Sequence, residues 1–284
     1  MKATTMLETI VSLLGTPACA IPLSSCQTAK GYLLDRAGIP GTGTAILFAI
    51  PYVMTDEVNH PERNVSLYAV PRDYHGYARE LEATLIPTLA ASFPAHRFTL
   101  FADHAPIREV NAAARAGLGV LGMNGLLITP EYGSLVFLAE VVTDADYETV
   151  TGSPPPLFPD KPPACERCGA CVAACPGRCT EGEREGCLSA LTQKKGILTP
   201  DEAEAIRKNR LVWGCDVCQL VCTHNIRVIR EGRDTPIPYF RDHRLIHVDA
   251  PALDAMSDEE FASRAYAWRG RAVIRRNAEL TVDR

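Results

Sequence analysis

The sequence predicts an α+β protein: an α/β domain, then a small cysteine-dense domain, then a helical C-terminal segment. Three observations carry that reading. Four apolar runs alternate with amphipathic stretches before residue 150. A proline-rich break follows at 151–163, with six prolines in that stretch. Nine of the eleven cysteines then fall between Cys165 and Cys222. The expected boundaries are 1–150, 151–163 for the linker, 164–233 for the cysteine-dense domain and 234–284 for the tail.

Each element has its own signal. Residues 1–8 place Glu8 inside the first apolar stretch, which suits a helix and not a secretory leader. Residues 44–52, 66–70, 97–101 and 134–142 are apolar and β-branched, and read as buried strands. Residues 73–89 and 107–116 have the period of amphipathic helices. Four glycines, Gly117, Gly119, Gly122 and Gly125, suggest tight turns, or else a wall against a flat ligand. The turn reading is the preferred one. In the tail, Ser257 to Tyr266 reads as an amphipathic helix. Arg264, Arg269, Arg271, Arg275 and Arg276 crowd the end of the chain, and any RNA contact is expected there.

Composition narrows the class. The chain has 284 residues, 46% of them hydrophobic, and a net charge of −5. That is a globular composition, long enough for two domains, and charge alone does not mark it as a nucleic-acid binder. No apolar run approaches the roughly 20 residues that cross a bilayer. The expected location is the cytoplasm, without membrane contact. Disulfides spread their staples along a chain, whereas metal sites cluster their ligands.

The cysteine spacing names the metal. Cys165-x2-Cys168-x2-Cys171-x3-Cys175-Pro176 is the bacterial ferredoxin run. Three closely spaced thiolates wrap one 4Fe–4S cubane, and the fourth reaches the neighbouring cluster. Zinc sites do not call for this cadence. A second run, Cys215-x2-Cys218-x3-Cys222, lacks its first member. The swap rule gives one cluster on Cys165, Cys168, Cys171 and Cys222. The other takes Cys175, Cys215, Cys218 and either Cys187 or Cys179. Cys19 and Cys26 stand far off in sequence and read as structural thiols. Two adjacent clusters form an electron wire, and the α/β domain is where its electrons are expected to be used.

Several further strings resemble one family. They are Arg72-Asp-Tyr-His75, Asp103-His-Ala-Pro-Ile-Arg-Glu109, Ala114-Arg-Ala-Gly-Leu-Gly119, Gly133-Ser134 with Phe137-Leu138, Cys187-Leu-Ser-Ala-Leu-Thr192, and Gly214-Cys-Asp-Val-Cys-Gln-Leu-Val-Cys222. A weaker echo lies at Arg276-Asn277. In this order they resemble the epoxyqueuosine reductases, cobalamin-dependent iron–sulfur enzymes related to the reductive dehalogenases. The sequence departs from the family where Val120 and Met123 stand in its Gly-Leu-Gly-Trp-x-Gly-Lys string, and where Cys222-Thr-His-Asn225 replaces Cys-Pro-Trp-Asn.

The resemblance implies a function. Such proteins reduce the epoxide of epoxyqueuosine in tRNA to the alkene of queuosine, with electrons passing from the clusters to cobalamin. It implies that the α/β domain binds cobalamin and that the cysteine domain is ferredoxin-like. It favours Cys187 as the eighth ligand, beside Cys175, Cys215 and Cys218. It places Asp103 at the family's proton donor, and His75, Asp103, Asn124, Leu138 and Ser189 near cobalamin. A ferredoxin or flavodoxin is the expected electron donor, and tRNA the expected partner. Two other readings compete. One is a cobalamin-dependent reductase of another small molecule, such as a halide or ether. The other is a 4Fe–4S electron carrier without catalysis, which the size of the α/β domain argues against.

Overall fold

The computed structural model describes residues 4–179 and 186–282. The chain divides into two compact units. The first holds Met1–Ile50, Tyr77–Pro130 and Val136–Arg167; the second holds Pro51–Gly76, Glu131–Leu135 and Cys168–Arg284. Residues 51–76 and 131–135, which the sequence groups with the α/β domain, therefore cluster with the cysteines.

The first unit is built on a four-stranded sheet. Its strands are β1 (Ala18–Pro22), β2 (Thr44–Pro51), β3 (Phe98–Phe101) and, after the short β4 (Val120–Leu121) and β5 (Leu127–Ile128), β6 (Val136–Thr143). The sheet order is β1-β2-β6-β3, and β4 and β5 make a separate two-stranded ribbon. β1 runs antiparallel to β2, with Ala18 opposite Phe48. β3 runs antiparallel to β6, with Phe98 opposite Thr143 and Phe101 opposite Glu140. Every residue of the interior strand β2 is buried, which is why its sequence is an unbroken apolar run. β1 was not foreseen. It is short, ends in Pro22 and lies at the sheet edge, where a proline is tolerated.

Helices cover this sheet as the periodicity predicts. Met6–Leu14 starts at a capping box in which the Thr5 side chain takes the Glu8 N–H and Glu8 takes the Thr5 N–H. That pairing explains an acidic residue inside an apolar stretch. Glu109–Arg115 buries Ala112, Ala113 and Ala114 against Leu47, Ala49 and Val142 in one core. Tyr74–Ser92 follows the predicted 73–89. The glycine-rich stretch forms the β4–β5 hairpin. A Cβ on Gly119 would lie 2.3 Å from the Ile128 carbonyl oxygen, so the hairpin itself requires that glycine. The Pro-rich 151–163 stretch is tied down along the first unit. Pro159 C=O accepts from Arg115 Nε at 2.6 Å, Pro163 C=O accepts from Leu121 N–H at 2.7 Å, and Phe158 packs on the core.

The second unit has its own core, with Trp213 and Tyr266 surrounded by Val65, Val70, Leu253 and Ile274. Two sequence expectations fail here. Ser66–Val70 is not a strand; Leu67–Ala69 is a turn of 3₁₀ helix. Its donors are taken elsewhere, Ser66 N–H by the Trp213 carbonyl and Leu67 N–H by the Asp216 carboxylate. A short apolar run does not specify how its backbone is paired. The helix expected at 257–266 covers only Asp258–Ala262, capped by Ser257. It stops because Arg264 turns inward, 4% exposed, and donates to the His243 carbonyl at 2.6 Å. A helix at Arg271–Thr281 was not foreseen.

The same geometry gives the terminal arginines partners within the chain. Arg271 donates to the Leu253, Met256 and Ser257 carbonyls, finishing the helix at Ala250–Ala255. Arg276 donates to the Gly196 carbonyl, Arg275 pairs with Asp254, and Arg269 stacks on Trp268. These guanidinium groups are committed to the chain's own carbonyls, carboxylates and rings. Arg264→Ala and Arg271→Ala should each cost about 1–3 kcal/mol of stability, because buried carbonyls lose charged donors. Neither should change the salt dependence of tRNA affinity. Urea melts and tRNA titrations at several salt concentrations check both.

Candidate iron–sulfur centre and proton-donor turn

The cysteine centre belongs mainly to the second unit. Helix Ala170–Ala174 carries Cys171, and helix Val217–Leu220 carries Cys218. The two helices pack against each other, so the two cysteine runs meet as paired halves. Cys215 lies beside Cys218 and Cys187. Cys179 hydrogen-bonds with both Cys175 and Cys187. Five thiols, those of Cys175, Cys179, Cys187, Cys215 and Cys218, thus form one group. Burial pushes the Cys215 thiol up to about 12, and Asp216, Cys218 and Cys187 add to the shift, against the Val217 N–H. Bound iron reverses that logic, because a coordinated thiol is deprotonated. Among the described residues no three His, Cys, Asp or Glu side chains converge on a single-ion site.

The approach of Cys187 has a local cause. A Cβ on Gly177 would lie 1.8 Å from the Gly186 carbonyl oxygen. Only a glycine there lets the backbone after Cys175 close onto the residue before Cys187. From Cys187 the helix Leu188–Thr192 runs on, and Thr192 Oγ1 accepts from Gly214 N–H at 2.9 Å. Asn277, fully buried, donates to the Thr192 and Val212 carbonyls at 2.7 and 2.9 Å. The segment with Cys187 and the loop with Cys215 are thereby fixed to one another.

Sequence reasoning missed the side chains that hold this frame. Asp216, between Cys215 and Cys218, is 3% exposed. Its carboxylate accepts from Arg63 Nη1 at 2.6 Å, from Leu67 N–H at 2.9 Å and from the Ser66 hydroxyl. Asn225 Oδ1 accepts from Ser134 N–H at 2.8 Å, and its amide donates to Ser134 Oγ and the Gln219 carbonyl. Gln219 Nε2 donates to the Ser134 carbonyl at 2.8 Å. A charged or amide residue inside a cysteine run was the available signal.

The remaining expected site residues fall as follows. Cys165 belongs to the first unit, and its N–H donates to the Leu121 carbonyl at 3.0 Å. Cys168 and Cys222 belong to the second, with Cys222 at the start of helix Thr223–Arg230. Cys19 and Cys26 pack on the first unit's core, and Cys26 Sγ donates to the Pro22 carbonyl at 3.4 Å. His75 opens the helix Tyr74–Ser92, with Nδ1 2.9 Å from Asp73 Oδ1. Ser189 sits in the helix after Cys187, and its carbonyl accepts from Thr192 Oγ1. Asn124 is at the β4–β5 turn, where Oδ1 accepts from Leu126 N–H at 3.3 Å. Leu138 lies in the half-buried first part of β6.

Asp103 sits on the turn after β3. It has φ 62°, a left-handed conformation unusual for a non-glycine residue. His104 N–H closes the turn onto the Ala102 carbonyl at 2.7 Å. The Asp103 side chain is exposed, and it is a turn residue and not a helix cap. Beside it, His104 Nδ1 lies 3.0 Å from Lys30 Nζ, and Nε2 lies 2.9 Å from the Tyr32 hydroxyl. A lysine has only donors, so Nδ1 accepts and the imidazole proton sits on Nε2.

The comparisons with known proteins agree with this layout. Residues 164–225 match the family described as the 4Fe-4S double cluster binding domain. Epoxyqueuosine reductase from Gloeobacter violaceus is 32% identical over 246 residues, covering 84% of this chain and 73% of the relative. The chain belongs to the epoxyqueuosine reductase family. The Listeria monocytogenes enzyme is 36% identical over 222 residues, 75% of this chain but 55% of that protein. The chain thus spans little more than half of some relatives it matches. A crystal structure of epoxyqueuosine reductase with an epoxyqueuosine-modified tRNA-Tyr stem loop superposes with a TM-score of 0.70. It is 26% identical and covers 96% of this chain and 79% of that one. No described helix is long and apolar enough to cross a membrane.

Cys187→Ser should lose one cluster, about half of the iron, whereas Cys179→Ser should keep both. Gly177→Ala should behave as Cys187→Ser, since it forces apart the segments that bring Cys187 to the group. Iron and sulfide counts on anaerobically purified variants decide this, and near-full iron in Cys187→Ser reassigns the eighth ligand.

Proposed function

We propose that this member of the family reduces the epoxide of epoxyqueuosine in tRNA to the alkene of queuosine. The observation that carries the reading is the thiol group around Cys187 in a chain 32% identical to an epoxyqueuosine reductase over most of its length. One 4Fe–4S cluster takes Cys165, Cys168, Cys171 and Cys222. The other takes Cys175, Cys187, Cys215 and Cys218. A ferredoxin or flavodoxin reduces them, in the cytoplasm where tRNA is modified. The tRNA stem loop bound by a relative supports tRNA as the partner here.

Cobalamin is the second cofactor of this reading. Within the first unit, half-buried Leu138 would offer an apolar surface and Asn124 an amide; the resemblance adds His75 and Ser189. Bound cobalamin supplies low-potential electrons that no amino-acid side chain provides. The chain's own residues do the rest. Removing the epoxide oxygen as water consumes two electrons and two protons. Asp103, on its exposed turn, delivers a proton to the departing oxygen, which leaves far more readily as a hydroxyl than as an alkoxide. The His104 ring, held between Lys30 and Tyr32, has its acceptor nitrogen already occupied and is less suited to that role.

Asp103→Asn keeps the side chain's shape but cannot deliver a proton at neutral pH. It should keep its clusters and its cobalamin and lose turnover by about 10²-fold or more. Single-turnover assays on epoxyqueuosine tRNA, normalised to cobalamin bound in anaerobic titration, measure this. Unchanged rates in Asp103→Asn remove it from the chemistry. Wild-type protein that binds clusters but no cobalamin, and does not restore queuosine to a strain lacking its own reductase, defeats the reading as a whole.

A further inference from the structure

Beneath the Asp103 turn lies a pair of carboxyl groups that face each other. Glu140 stands on β6, fully buried, directly opposite Phe101 on β3. Two residues past Phe101 is Asp103. Glu109 opens the helix Glu109–Arg115, which packs on β6, and its carboxyl meets that of Glu140. Among the described residues no donor reaches either oxygen of Glu140, nor Oε1 of Glu109. The other contact of Glu109 is with the Asp103 backbone N–H, which donates to it.

Two facing carboxylates, both acceptors only, cannot hydrogen-bond to each other. Two buried negative charges side by side also cost far more than one. The contact is satisfied if one carboxyl keeps its proton and donates it to the other. We propose that Glu109 and Glu140 share one buried proton, and that the protonated pair holds the Asp103 turn in its left-handed conformation. The deprotonated half supplies the acceptor for the Asp103 N–H. That acceptor adds to the His104–Ala102 hydrogen bond in holding a non-glycine residue at φ 62°. Glu109 and Glu140 are positioning residues. Their link to catalysis rests on the reading of Asp103 given above, whereas the shared proton does not.

The surroundings agree. Burial pushes the Glu109 carboxyl up to about 7, with the Asp103 charge adding to the rise; hydrogen bonds from Glu140 and Asp103 and the charge of Lys30 oppose it. Burial, then the Glu109 charge, holds Glu140 well above the usual carboxylate range. The nearby Cys26 thiol is pushed up to about 12 by burial and by Glu140, with Arg115 opposing, so it stays neutral. The folded chain therefore keeps a proton that an unfolded glutamate, with a pKa of about 4.3, has lost. Folded protons in excess of unfolded ones mean that stability falls as pH rises from there to about 7.

The test uses the full chain, anaerobically purified with its clusters. Wild type should show the infrared C=O stretch of a buried carboxylic acid at neutral pH. In Glu140→Gln the amide donates to Glu109 in place of the acid. That variant should lack the band, and should lose the part of the fall in urea midpoint that wild type shows between about pH 5 and about pH 8. Glu109→Gln, the second variant should the first not fold, has the same expected signature. Glu109→Ala should speed hydrogen exchange at the Asp103 amide by about tenfold or more. Turnover in wild type should decline on the alkaline side, and Glu140→Gln should flatten that decline. Wild type without an acid band at neutral pH overturns the shared proton. Unchanged exchange at Asp103 in Glu109→Ala overturns the positioning role. An intact band with no turnover on epoxyqueuosine tRNA supports the pair and counts against the substrate.

Discussion

The second unit depends on one buried carboxylate. Asp216 sits between two cysteines, and its charge is met by the Arg63 guanidinium, the Ser66 hydroxyl and the Leu67 N–H. Removing a charge from water costs several kcal/mol, and good geometry with every lone pair engaged is what offsets it. Here the compensation crosses a long stretch of sequence. Residues 63–67 bring the donors, and the loop at 213–218 brings the acceptor and the thiols. The Ser66–Trp213 backbone hydrogen bond, at 2.8 Å, runs alongside. A cubane demands thiolates fixed in space, and the Asp216 network fixes those of the second run without using any of them.

Glu140 is the same problem solved the opposite way. It too is a carboxylate removed from water, but among the described residues no arginine or lysine donates to it. Where a cation is supplied, as at Asp216, the carboxyl pairs with it and locks a loop. Where only another acid is supplied, as at Glu140, a proton takes the cation's place. The second responds to pH, and it lies under the turn that carries Asp103.

Legibility followed the physics of each feature. The four-strand sheet was readable where burial is continuous, as in β2, or strong, as in β6, because apolar periodicity reports burial. The cysteine ligand runs were readable because cubane geometry imposes spacing on the chain itself. Ser66–Val70 was misread because its hydrogen-bond partners, Trp213 and Asp216, are remote in sequence. The internal partners of the terminal arginines were hidden for the same reason: charge is visible in a sequence, but the carbonyls of Leu253 and Gly196 that accept from it are not. Cys187 stood level with Cys179 on spacing alone. Family resemblance favoured it, and both thiols lie in the same group, so the choice between them rests on which one the Gly177–Gly186 closure presents to iron.

Asp103 shows why sequence and geometry had to be combined. The resemblance gives it the proton donor's place, but does not say how the residue is held. The backbone at φ 62° is a conformation that costs about 1–3 kcal/mol unless its surroundings impose it. The Ala102–His104 closure and the Glu109 acceptor are what impose it. Glu109 ends the same string that Asp103 begins, six residues on, because the loop between them must return the chain to the carboxyl that receives the Asp103 N–H. Glu140 is a lone acid in an apolar strand, and nothing local to that strand explains it. It becomes intelligible only as the partner that lets Glu109 lie buried beside the turn.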